Sequence, residues 1–217
     1  GNYNLSQPAQ YAREGFPALD YLLYGLHDSD DAIVTYYAGN ANARDYVTDL
    51  TAHLKNVADG ILADWNGSYR DTFISGTGTA VSAPINQTVN NFVKNLEKDV
   101  RTPKLAIPAG KFSNGATLPD KVEAYYRNNV SKELLVEALT ASRNFFNGKY
   151  FNSQTMGPGL KGYLDAVHAG RNGQNLSDII NAQYDAAIAA ANQLNNSFSS
   201  QIATDNSKML AAYDALQ

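Results

Sequence analysis

Four side chains in this chain could meet a ligand: the carboxylates of Asp20 and Glu123 and the cations of Arg101 and Lys104. Asp20 lies in Gly15-Phe16-Pro17-Ala18-Leu19-Asp20, three residues after Pro17. Positions three apart share one face of a helix. A metal-holding pair, or a base with its orienter, needs a donor at both positions, and proline offers none. Pro17 suits the first turn of a helix, where its missing N–H would be unsatisfied anyway. Asp20 then sits about one turn in, where the helix dipole mildly favours negative charge. Gly15 and Pro17 frame the helix start, and Asp20 is the one residue of the segment with chemistry to offer.

Arg101, Lys104 and Lys111 lie in or beside a stretch rich in proline and glycine. Such a segment can present cations and backbone N–H groups to a carboxylate, phosphate or sugar acid. The preferred reading is a crossover whose arginine ties down helix-end carbonyls or pairs with Asp20, because structural pairs of that kind are common. A pairing of Asp20 with Arg101 or Lys104 is one hypothesis for a structure to test. Asp20, Arg101, Lys104 and Glu123 are the residues expected to converge if a ligand site exists.

The other clusters are weaker. His27-Asp28-Ser29-Asp30-Asp31 has the composition of a cation site, but lacks the glycine and distal glutamate of an EF-hand loop. It reads as a solvated acidic linker. His53 and His168 read as surface or capping histidines. Tyr46, Tyr125 and Tyr184 fall at helical spacing and read as core. No Gly-x-Ser-x-Gly, His-Glu-x-x-His or P-loop pattern occurs. No catalytic residue, metal ligand or cofactor is assigned.

Composition narrows the classes. The 217 residues suffice for a full core, as one domain or two small ones. The net charge is -4 and no Lys/Arg run exists, so nucleic-acid binding has little support. With no cysteine, disulfides, thiolate metal sites and a cysteine nucleophile are excluded. No stretch is long and apolar enough to span a bilayer.

The elements that must position these residues are helical. Apolar residues recur at helical spacing over 16–26, 41–65, 85–100 and 132–146. Shorter helices are expected over 118–126 and 160–169, a long one from a cap at Asn175 or Ser177 to about 199, and a terminal one carrying Met209, Leu210, Tyr213 and Leu216. Residues 2–12 read as a polar lead-in. Residues 66–84, rich in glycine, serine and threonine, read as loop, as do 103–119 with three prolines. Ser131 is expected to cap the helix that follows it, and Gly148 to end it. No convincing strand alternation appears. The sum is an all-α chain of antiparallel helices.

Several segments together resemble the imelysin-like family, also filed as peptidase M75. Its Gly-x-His-x-x-Glu signature survives as Gly15-x-Pro17-x-x-Asp20, with proline at the histidine position and a shorter acid at the glutamate position. Tyr46-x-x-x-Leu50-x-x-x-Leu54 resembles its long second helix, and Arg101-x-Pro103-Lys104-Leu105-Ala106-Ile107-Pro108-x-Gly110-Lys111 its central loop. Lys121 to Tyr126, Arg143 to Gly148 and Gly159 to Leu164 follow in order. The resemblance implies two packed antiparallel helix bundles that together form one imelysin-like helical domain over 1–217. It also implies further helical sequence on both sides, so that the chain is the core of a longer protein. It implies a periplasmic or outer-membrane-attached location with a lipid anchor outside this chain, and a link to iron uptake through a small ligand, metal complex or partner protein. Peptidase activity is attached to the family name, but the altered signature does not support it here; an M75-type metallopeptidase and a structural or partner-docking module are the alternatives to a non-enzymatic binding protein.

Overall fold

A computed structural model describes residues 3–8 and 14–217. Much of the expected lead-in (residues 2 and 9–12) lies outside the described residues. The chain divides into two compact units, with the boundary at Asn90/Asn91 inside a helix. Both are helical, as the apolar periodicity requires.

In the first unit, α1 (Phe16–Tyr24) begins with Pro17 in its first turn, after Gly15 at φ 100°. The acidic run 27–31 is exposed, as expected, but only its residues 27–29 link α1 to the next helix. Ser29 accepts a hydrogen bond from the backbone N–H of Ala32, and Asp30 and Asp31 form the first turn of α2 (Asp30–Gly39). A serine cap followed by two acids is a strong helix start. Asn40 caps α3 (Ala41–Asp64) by accepting from Ala43 N–H at 3.1 Å. The three helices contact one another, and Ile33 and Leu50 are buried. The later part of the α3 stripe stays exposed, with Val57, Ile61 and Trp65 facing solvent.

The segment after Trp65 is not all loop. A π-helical turn, Trp65–Tyr69, bends at Gly67 and leads into α4 (Arg70–Ser75). Trp65, Tyr69 and Phe73 recur every four residues, and their rings contact one another along the bent helix. α5 (Pro84–Lys94) then runs across the boundary between the units.

The second unit holds the main core. α5 passes into a π-helical segment, Asn95–Ala106, that carries Pro103 inside it. In an α-helix the proline ring would clash with the carbonyl four residues back and remove a bond. The wider π turn accommodates it, as the Ile107 N–H bond to the Thr102 carbonyl five residues back illustrates. The expected loop therefore begins later and is tightly folded. Lys111 N–H bonds Ala106 O at 2.9 Å and Leu118 N–H bonds Pro108 O at 2.9 Å. Gly110 lies at φ +80°, and a Cβ there would meet the Ala116 carbonyl oxygen at 2.7 Å. Leu105, Ala106, Pro108 and Ala109 are buried. Beyond it, only a short 3-10 turn, Pro119–Lys121, replaces the helix expected over 118–126.

α6 (Ser131–Asn147) buries Leu135, Leu139, Ser142 and Phe146 on one face. Ser131 is its first residue rather than its cap, and its hydroxyl donates to the Glu123 carbonyl at 2.9 Å. Gly148 ends the helix in the left-handed region, as expected. α7 (Leu160–Ala166) is followed by a hairpin of β1 (Gly170–Arg171) and β2 (Gln174–Asn175). Asn172 and Gly173 both have positive φ, as the tightest hairpin turn needs. Two-residue strands are too short to show alternation in a sequence.

α8 (Leu176–Asn192) ends before the expected position, and Phe198 opens the next helix, α9 (Phe198–Ala215). Ser197 caps α9, which bends at Asp205. α6 packs on α8, and α9 packs on α8 and on the π-helical segment. Val100, Leu105, Leu135, Leu139, Ala187, Ala191, Phe198 and Met209 meet in one core.

Candidate functional site

The four candidate residues are divided between the units. Asp20 belongs to α1 in the first, and Arg101, Lys104 and Glu123 to the second. Within the second, Lys104 and Glu123 form an ion pair in which the lysine is nearly buried and the glutamate half-exposed. Glu123 lies in the turn after the 3-10 segment, where its carbonyl also receives Ser131.

Arg101 is engaged differently. The π-helical segment directs it into the core, where the residue is 6% exposed. Its Nε donates to the Tyr213 carbonyl at 3.0 Å, its Nη1 to Glu97 at 2.8 Å and its Nη2 to the Gln217 side-chain oxygen at 3.0 Å. The guanidinium stacks 3.8 Å from the Tyr213 ring centroid. Lys111 approaches the same ring at 5.1 Å and pairs with Asp214 at 3.4 Å. All five N–H groups of an arginine form a planar fork that suits such a set of acceptors. Arg101 thus ties α9 and the residues after it to the π-helical segment.

A cavity of about 210 Å³ opens beside this tie. Its walls are mainly apolar: Phe92 and Leu96 from α5 and the π-helical segment, Leu139 from α6, Tyr184 and Ala187 from α8, and Leu216. Gln183 and Gln217 supply amides. The Gln217 side chain is the one that Arg101 holds. Arg101 therefore positions a lining residue of the cavity. Tyr184 is oriented by a 2.7 Å hydrogen bond between its hydroxyl and Ser142. Burial raises the Tyr184 phenol above its ordinary value, and the bond to Ser142 opposes the shift. Apolar walls and a few placed polar groups are the marks of a small-molecule site, and the volume suits only a compact occupant.

These lining residues carry no chemical motif. Phe92, Leu96 and Tyr184 read in the sequence as ordinary core stripes, and periodicity does not separate a filled interior from a hollow one. Of the tyrosines expected in the core, Tyr184 is buried and Tyr46 half-buried, whereas Tyr125 is exposed. His53 is not a free surface residue: its Nε2 lies 3.4 Å from Glu14 Oε2. Among the described residues no group of three or more His, Asp or Glu side chains gathers as a metal cluster would.

The fold and these arrangements define an all-α protein of two helical units, none of whose described helices is long and apolar enough to cross a membrane. The sequence profile of the imelysin family, peptidase M75, matches residues 3–217, and the chain belongs to that family. No curated protein and no solved structure matches it significantly.

Proposed function

We propose that this chain is a non-enzymatic binding protein of the cell envelope, linked to iron uptake, that takes a small ligand, a metal complex or a partner protein. The periplasm or the outer membrane is the proposed location. The observation that carries the binding reading is the apolar cavity of the second unit, with Gln183 and Gln217 at its wall. An occupant with a compact apolar body and one or two hydrogen-bonding groups fits such a lining. The buried stack of Arg101 on Tyr213 supports the same reading, because it fixes Gln217 rather than offering its charge to solvent.

The test fills the cavity. Ala187 lines it and is buried, so Ala187→Phe places a ring where the ligand would sit. The environment-sensitive dye 1-anilinonaphthalene-8-sulfonate should bind the folded wild type with saturable fluorescence, and Ala187→Phe should weaken that binding at least tenfold while keeping the helical circular dichroism. Equal dye binding by both proteins would remove the cavity from consideration.

The second reading is an M75-type metallopeptidase, which rests on the family. Pro17 stands at the histidine position of the signature, so the frame lacks one donor. Incubation with casein and a panel of divalent metals separates the readings. Reproducible cleavage, abolished by Asp20→Asn, would overturn the non-enzymatic proposal.

A further inference from the structure

Glu14 precedes α1, and its side chain is only 6% exposed. Its Oε1 is buried without a hydrogen-bond partner. Its Oε2 lies 3.4 Å from Nε2 of His53, which is on α3 and 23% exposed. A carboxylate withdrawn from water costs free energy unless both oxygens are satisfied. Here one is orphaned, and the other stands beyond the 2.7–2.9 Å or so of a charge-assisted hydrogen bond.

The spacing fits a different bond. Nitrogen and oxygen ligands sit about 2.0–2.1 Å from a zinc-like ion, so two of them at a tetrahedral angle are roughly 3.3–3.4 Å apart. We propose that Glu14 and His53 are two ligands of one divalent transition-metal ion. Imidazole with carboxylate suits zinc, cobalt or nickel better than calcium or magnesium, which prefer oxygen alone. The ion would take up the charge of the buried carboxylate. It would also fasten the start of α1 to α3, two helices already in contact. With no third His, Asp or Glu gathered among the described residues, the other coordination positions stay open to water or to donors of an incoming chelate. Neither ligand belongs to the Gly15, Pro17 and Asp20 frame.

The site is read with metal alone. Zn²⁺ titrated into the whole chain in a calorimeter, and Co²⁺ followed by its visible bands, should each report one ion bound. His53→Gln and Glu14→Gln should weaken binding at least tenfold, and His27→Gln and His168→Gln should leave it unchanged. If either ligand variant fails to fold, the wild type still decides. Zn²⁺ should protect His53 from diethylpyrocarbonate while His27 and His168 remain reactive, as mapped by mass spectrometry. No binding by the wild type, undiminished binding by His53→Gln, or no protection of His53 would each overturn the proposal. The dye measurement on the cavity reads a separate unit, so either idea can fail alone.

Discussion

Replacing Arg101 by methionine tests whether this buried cation is a structural tie. Methionine keeps most of the stem and removes the guanidinium. The bonds to the Tyr213 carbonyl and the Gln217 oxygen, both 3.0 Å, lose a charged donor, and such bonds contribute about 1.5–3 kcal/mol each. The stack 3.8 Å from the Tyr213 centroid adds about 1 kcal/mol. Glu97 is 40% exposed on its side chain, so after the change it returns to water at little cost. Against these losses stands the recovered desolvation of the guanidinium, several kcal/mol. The net expectation is a loss of about 2–3 kcal/mol, below the cost of breaking a fully buried pair because no uncompensated charge is left behind. Urea unfolding followed by circular dichroism at neutral pH should show a lower midpoint with an unchanged slope. Glu97→Gln should lose less than about 1 kcal/mol in the same assay. The dye affinity of the cavity should also fall in Arg101→Met, because Gln217 loses its anchor. A variant within about 1 kcal/mol of wild type, with unchanged dye binding, would refute the structural reading and return Arg101 to the list of ligand contacts.

The other expectations can be read in the same assays. Gly148→Ala should cost about 2 kcal/mol or more in thermal unfolding: φ is +76° and the new Cβ would meet the Gly157 carbonyl oxygen at 2.3 Å. Leu139→Ala removes a fully buried side chain and should cost about 2–4 kcal/mol, the low end because the adjoining cavity lets neighbours relax. Burial raises the Tyr184 phenol in the folded state, so that state holds the proton more tightly. Its contribution is fully present below the unfolded value near 10 and is lost as pH rises toward the raised folded value. Tyr184→Phe should therefore flatten the alkaline decline in urea midpoint. Asp165 is lowered by its bonds from Lys161 and Ser177, so its contribution is present above the ordinary carboxylate value and lost as pH falls through the folded one. Asp165→Asn should flatten the acid decline.

The helices that a sequence shows best are those with a one-sided apolar stripe and a decisive end. α6 has both, with Leu135, Leu139 and Phe146 in register and Gly148 to stop it. α2 has neither in obvious form. Its sequence DDAIVTYYAG opens with two acids, which read as linker until Ser29 is recognised as their cap. The π-helical segment was hidden for a related reason. Pro103 reads as a helix breaker, but its effect depends on ring size, and a wider turn leaves room for it. The gap between α8 and α9 is hidden because Leu194 and Phe198 continue the apolar spacing of α8, though both are buried in turns or in the next helix.

Charge pattern and charge use also part company at the candidate sites. Arg101, Lys104 and Lys111 look in the sequence like three cations offered from one flexible loop. In the fold each has its own anion, Glu97, Glu123 and Asp214, and two of those anions lie far along the chain. A sequence gives the cations their neighbours but not their partners, so it overstates the free charge of the loop. The reverse holds for Glu14 and His53. They are far apart in the sequence, sit in no motif, and meet only because α1 and α3 pack together. What remains for a ligand is then set by which groups the fold leaves unsatisfied. In the second unit that is space, an apolar hollow edged by amides, together with the buried side-chain oxygen of Asn206, and in the first it is a buried carboxylate oxygen. A mainly apolar occupant is the one proposed for the hollow and a cation the one proposed for the carboxylate, so the two proposals stand on different chemistries.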